Sequence, residues 1–162
     1  MNQKTLIEKQ AIVEVVVGKA KASNAMIIFE YRGLTVSQMT SLRRLLRESN
    51  AEMAIYKNSL VERAAEQLGK PELAEFLTGP NAFVFSDDVI TGPNVIRKFA
   101  LRNDEVVIKG GLIEGRVIDA EGVKTIAKLP GREGLISMFL SVLNAPIRQF
   151  AATVQAVADA KN

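Results

Sequence analysis

At 162 residues, 48% hydrophobic and 24% charged, the chain is long enough for one proper core and an appendage. It holds neither cysteine nor histidine, which excludes disulfides, thiolate or imidazole metal sites and a histidine general base, and leaves carboxylate, lysine, tyrosine or hydroxyl chemistry. The formal net charge of +3 is unevenly spread. Residues 1–60 carry nine Lys/Arg against five Asp/Glu, residues 61–132 ten against eleven, and residues 133–162 two against two. A modest basic excess in the first third fits a solvated face as well as an anionic partner.

The opening MNQKTLIEKQ is mixed polar, without a signal-peptide pattern, and no uninterrupted apolar run of 18 residues follows, so a soluble cytosolic protein is expected. In residues 5–21, Leu6, Ile7, Ile12, Val13, Val16 and Val17 have the spacing of one buried helical stripe, with Lys9, Lys19 and Lys21 outside. Residues 25–31 read as a buried strand. Thr35 then opens a helix reaching about Glu48. Thr35 and Gln38 have capping-box spacing, and Leu34 and Met39 that of a hydrophobic staple. Val36, Met39, Leu42 and Leu46 are expected inward. Ser49-Asn50 breaks this helix, and residues 52–56 form a second strand. Asn58 is placed to cap a helix over 59–68 that ends at Gly69 with Pro71 behind it. A short helical piece at 71–77, a strand at 81–86, a helix at 94–101 and a strand at 105–109 follow. Gly110-Gly111 and Gly115 then predict a bulged or hairpin continuation. Residues 119–127 suit a short helix, and Leu129-Pro130-Gly131 marks a boundary between residues 1–130 and 131–162.

The order β-α-β-(α)-β-α-β predicts an α+β fold. Its main domain is a two-layer split βαβ (ferredoxin-like) domain with an added N-terminal helix, followed by a long protruding C-terminal helix. A doubly wound parallel sheet is the alternative. In either, the two strands flanking the Thr35 helix point the same way and end on one edge. There Tyr31-Arg32-Gly33 and Tyr56-Lys57-Asn58 each set an aromatic, a cation and a turn residue before a helix. Helix N-termini attract anions, and the adjacent cations suit phosphates. No Gly-x-x-x-x-Gly-Lys or Gly-x-Gly-x-x-Gly loop occurs, so a bound nucleotide is not expected and a nucleic-acid backbone fits better. Arg32, Gly33, Lys57, Asn58 and Arg63 are the candidate contacts. Ordinary strand-to-helix turns with surface charges remain the other reading.

Between Gly134 and Ala158 only Arg148 is charged. Ile136, Leu140, Leu143, Ile147, Phe150, Val154 and Val157 repeat at alternating intervals of four and three, a stripe suited to another helix. Leu135, Met138, Phe139 and Val142 widen it in the first half. Folding back over the sheet and docking a partner are the two readings, and the length of the segment and its offset at Pro130-Gly131 favour a partner. Ser137, Ser141, Asn144, Arg148 and Gln149 argue against membrane insertion. Pro146 removes a helical hydrogen bond and is expected to hinge the tail into two modules, 135–143 and 147–158.

Taken together, YRGLTVSQMTSLRRLLR, YKNSLVERAAE, TGPNAFVFS, GGLIEG, LPGREGLISMFLSVLNAP and AVADAK, in this order and spacing, resemble the bacterial stalk-base family of the large ribosomal subunit (ribosomal protein ten of the large subunit, relative of the eukaryotic stalk protein P-zero). The likeness covers nearly the whole chain. It implies no catalysis and no cofactor. It implies a cytoplasmic ribosomal protein whose first domain binds large-subunit rRNA beside ribosomal protein eleven, with Arg32, Gly33, Lys57, Asn58 and Arg63 as RNA contacts. It further implies a C-terminal spine that binds acidic stalk-protein dimers, which recruit translational GTPases. Leu135, Ile136, Phe139, Leu140, Leu143, Ile147, Phe150, Val154 and Val157 would seat those dimers. The single break at Pro146 favours two dimers, with three left open. The runner-up is a non-ribosomal RNA-binding adaptor with a coiled-coil-like tail. An enzyme would have to rely on Asp87-Asp88 or Asp104-Glu105, and both pairs read as solvated turns.

Overall fold

The computed structural model describes the backbone of residues 3–159 and the side chains of residues 7–131 and 133–156. The chain divides into two units, Met1–Leu129 and Pro130–Asn162. The first runs α1 (Gln3–Ala22), β1 (Ala25–Glu30), α2 (Val36–Glu48), β2 (Ala51–Ala54), α3 (Asn58–Gln67), a 3-10 helix (Pro71–Phe76), β3 (Asn81–Ser86), α4 (Thr91–Ala100), β4 (Val107–Ile113), β5 (Arg116–Asp119) and α5 (Ala120–Ile126). The strand order is β2-β3-β1-β4-β5, and every pairing is antiparallel. This is the split βαβ arrangement with β5 added at one edge, and it overturns the parallel-sheet alternative.

β1 lies in the middle, which explains its unbroken apolar run. Ala25 through Phe29 are all buried because both faces of the sheet are covered. On one face Ala25, Ile27 and Phe29 meet Leu42 and Leu46 of α2, Ile96 and Phe99 of α4, and Val123 of α5. On the other, Met26 and Ile28 meet Val61 and Ala65 of α3 and Leu73 and Leu77 around the 3-10 helix. The helix inserted after β2 therefore closes the second face. α1 packs mainly on α3, with Val13 and Val16 against Leu60 and Ala64. The expected α1 stripe is only partly buried, since Ile7 and Ile12 are exposed, and Leu6 lies outside the described side chains.

Two further expectations change. Val36, placed inward from the sequence, is 84% exposed, because it is the first residue of α2 and precedes the turn that meets the sheet. α4 begins at Thr91 rather than Asn94, with Pro93 in its first turn, where a missing N–H breaks no helical bond.

The paired glycines of β4 serve close approach and a bulge. A Cβ on Gly111 would lie 2.4 Å from the Met26 carbonyl oxygen. The register against β1 jumps from Ile28↔Gly110 to Phe29↔Ile108, leaving Lys109 as the extra residue. That bulge flips the pleat. Ile108 and Ile113, an odd number apart, reach the same core, and the Lys109 side chain is re-aimed.

The second unit is the single helix α6 (Arg132–Asp159), assigned without interruption across Pro146. Among the described residues its unit holds no other helix or strand.

Candidate nucleic-acid interface and docking helix

β1 and β2 both run antiparallel to β3, which lies between them. They are therefore parallel to each other, and the turns after them share one edge of the sheet, two strand spacings or roughly 10 Å apart. Arg32 and Lys57 are both exposed on that edge. Their neighbouring aromatics face inward. Tyr31 packs against the core, and Tyr56 sits with its ring centroid 6.2 Å from Phe83 and 6.5 Å from Phe85. The tyrosines thus anchor the elbows and leave the cations outside.

The two helix starts differ as anion sites. At α2, Thr35 and Gln38 form the full capping box: the Thr35 N–H donates to Gln38 Oε1 at 2.8 Å, and the Gln38 N–H to Thr35 Oγ1 at 3.3 Å. Part of this terminus is satisfied from within. At α3, Lys57 is the N-cap and supplies no side-chain acceptor; the Leu60 N–H donates to the Lys57 carbonyl at 2.9 Å, so the Asn58 and Ser59 amides are the ones open to an incoming anion. Asn58 does not cap α3, contrary to the sequence reading. Its Nδ2 donates to the Leu77 carbonyl at 2.6 Å and the Gly79 carbonyl at 2.8 Å.

The loop before β3 lies between the elbows, and a second side chain holds it. Lys109 Nζ donates to the Thr78 carbonyl and pairs with Glu30 Oε2 at 2.7 Å, both side chains being mostly buried. Asn58 and Lys109 together thus satisfy three consecutive carbonyls, Leu77, Thr78 and Gly79, and the Tyr31 N–H donates to the next, Pro80, at 3.4 Å. The hydrogen bond from Lys109, then its charge and that of Arg32, hold the Glu30 carboxyl below its ordinary value near 4.5, against the opposing effect of burial. The sequence alone singled out neither Glu30 nor Lys109. The signal was the charge pair on two strands, which becomes informative once β1 and β4 are known to be neighbours.

Gly33 has φ +93°, and a Cβ there would lie 3.1 Å from Glu105 Cγ. The positive φ favours glycine here, and a Cβ would also make the exposed Glu105 side chain give way slightly. Arg63 is placed elsewhere, in the groove between α1 and α3 with Lys9, Gln10, Val13, Glu14 and Gln67. The acidic pairs are turn residues. Asp88 accepts from the Ile90 N–H and the Thr91 hydroxyl, and Asp87, Asp104 and Glu105 are exposed. No group of three or more acidic residues able to hold a metal occurs among the described residues.

On α6, Ile136, Phe139, Leu140, Leu143, Ile147, Phe150 and Val154 are all exposed, Phe150 at 74%, and Leu135 is half-buried. The Val157 side chain lies outside the described residues. Pro146, lacking an N–H, leaves the Val142 carbonyl without its helical donor. By length and composition alone, residues 133–156 are apolar enough to cross a membrane, although the sequence showed no uninterrupted run.

Residues 4–100 match the family model described as Ribosomal protein L10, and residues 129–162 match that of the Ribosomal protein uL10 C-terminal region. Large ribosomal subunit protein uL10 of Bacillus cereus (strain B4264) is 50% identical over 159 residues, 98% of this chain and 96% of that protein. The same identity and coverage hold for the protein of that name from Bacillus anthracis (strain CDC 684 / NRRL 3495).

Proposed function

We propose a function for this chain from one fact: it belongs to the uL10 family of large-subunit ribosomal proteins. It is a structural protein of the ribosome and not an enzyme, and membership displaces the reading as an adaptor unrelated to the ribosome. In our reading it forms the base of the stalk in cytoplasmic ribosomes. Residues 1–130 bind large-subunit rRNA beside ribosomal protein eleven, and α6 is the spine for acidic stalk-protein dimers that recruit translational GTPases.

The observation that carries this reading is α6 itself. All nine of its predicted seat residues are leucine, isoleucine, valine or phenylalanine, and of the eight whose side chains are described seven are exposed, in a segment matching the family's C-terminal region. Exposed apolar surface of this extent marks an interface. Protein partners are favoured over a membrane by Arg148 and the serines and asparagine interspersed along the helix. Two dimers follow from Pro146. An apolar helix laid across the Val142 carbonyl would bury an unpaired acceptor at about 1–3 kcal/mol, so the joint between two seats belongs there.

For the RNA, Arg32 and Lys57 contact phosphates, with the α3 amides between them and the clamped Thr78-Gly79 loop. Such contacts position the molecule, and the folded shape of the RNA supplies specificity. Asn58 supports the loop in this scheme. The test is binding of a large-subunit rRNA fragment by the Arg32→Ala/Lys57→Ala double variant. Affinity and salt dependence should both fall, each lost phosphate contact flattening the log–log slope by about 0.7–0.9. Unchanged affinity would move the RNA surface elsewhere.

A further inference from the structure

At about 100° per residue, the polar side chains of α6 are not scattered. Ser137, Ser141, Asn144, Arg148 and Gln155 fall within an arc of about 60°, and all five are exposed. Every large aliphatic or aromatic side chain from Leu135 to Val154 falls in a separate arc of about 200°, with glycine and alanine at the borders. Arg148, the lone charge between Gly134 and Ala158, lies within the polar line. In the half after Pro146 the apolar arc narrows, because Gln149 and Thr153 enter it; the Thr153 hydroxyl donates to the Gln149 carbonyl at 2.8 Å and is thereby satisfied within the helix.

We infer that stalk partners dock on one side of α6 only, and that the seam Ser137–Ser141–Asn144–Arg148–Gln155 stays in water in the assembled complex. The inference rests on the docking reading above and adds how the spine is covered. A stripe about 100° wide seats one helix, so about 200° seats two side by side. A pair of apolar helices fits the first half of α6, as two members of one dimer would supply. A third helix over the seam would bury two hydroxyls, two amides and a guanidinium. Without matched partners each neutral group costs about 1–3 kcal/mol and the charge more. Leaving the seam wet avoids that cost.

The absence of cysteine in the natural chain makes single-cysteine variants unique probes. The full chain is co-expressed with its acidic stalk protein, and maleimide labelling rates are measured on the purified complex. Ser37→Cys, exposed on α2, is the reference. Ser141→Cys and Arg148→Cys should label within about threefold of the reference, and Phe139→Cys and Leu143→Cys at least about tenfold more slowly, as for a dehydrated interface core. As a second readout, Ser141→Glu should keep the full stalk complement and Val142→Glu, one residue on, should lose part of it. Protection of Ser141→Cys and Arg148→Cys equal to that of Phe139→Cys, in a complex that forms, overturns the seam alone. A chain that retains no stalk protein overturns the docking reading and the seam with it.

Discussion

At the scale of single residues, the rim is braced by groups outside the proposed phosphate contacts. Lys109 reaches Glu30 and the Thr78 carbonyl because a bulge re-aims it. With a depressed folded-state pKa, Glu30 contributes stability that is present above its ordinary value near 4.5 and lost as pH falls through the lower folded value. Acid unfolding of residues 1–130 followed by circular dichroism should therefore show a smaller loss over that window in Lys109→Met than in the parent. Equal losses would remove the pair from the account. Gly111→Ala is a harsher case. Its Cβ would sit 2.4 Å from the Met26 carbonyl oxygen, so strand separation or a shift of β4 is forced, costing about 1–3 kcal/mol or more, read as a drop in Tm.

Among the elements, α2 was the most legible in the sequence, and for a local reason. Leu34, Thr35, Gln38 and Met39 lie within six residues, and the capping box that Thr35 and Gln38 announce is present atom for atom. Thr35→Ala should cost about 1 kcal/mol of domain stability by denaturant titration; no change would mean that tertiary packing alone holds α2. The split βαβ arrangement was legible from the alternation of strands and helices, and β1 from its unbroken apolar run, but the bounds of two strands were not: β2, expected at 52–56, is Ala51–Ala54, and β4, expected at 105–109, runs Val107–Ile113 through both glycines. What escaped depends on pairing between distant segments. Asn58 has the composition of a cap, yet its amide is drawn 19 and 21 residues along the chain to Leu77 and Gly79. Arg63 looked like a rim residue by proximity in sequence, and α3 carries it into the groove beside α1. Val36 fits the inward period of α2, but the first residue of a helix is not yet over the sheet. At the far end of α1, Lys19 pairs with Glu52 of β2, and the hydrogen bond to that carboxylate raises its pKa above the ordinary value near 10.5. Stability from this pair is full below that value and lost as pH rises through the folded one.

For the whole molecule, the central claim is that α6 is a surface built for other chains. Purified alone, the full chain should self-associate through its apolar arc, whereas residues 1–130 should remain monomeric in sedimentation velocity. Size alone cannot say what the arc is for, but the mass of the assembled complex can. Native mass spectrometry of the chain reconstituted with its acidic stalk protein should give one chain carrying two dimers. Leu140→Glu and Val154→Glu should each remove one of them. A full-length chain that stays monodisperse with no stalk protein bound, or variants whose complexes keep the parent mass, would contradict the account.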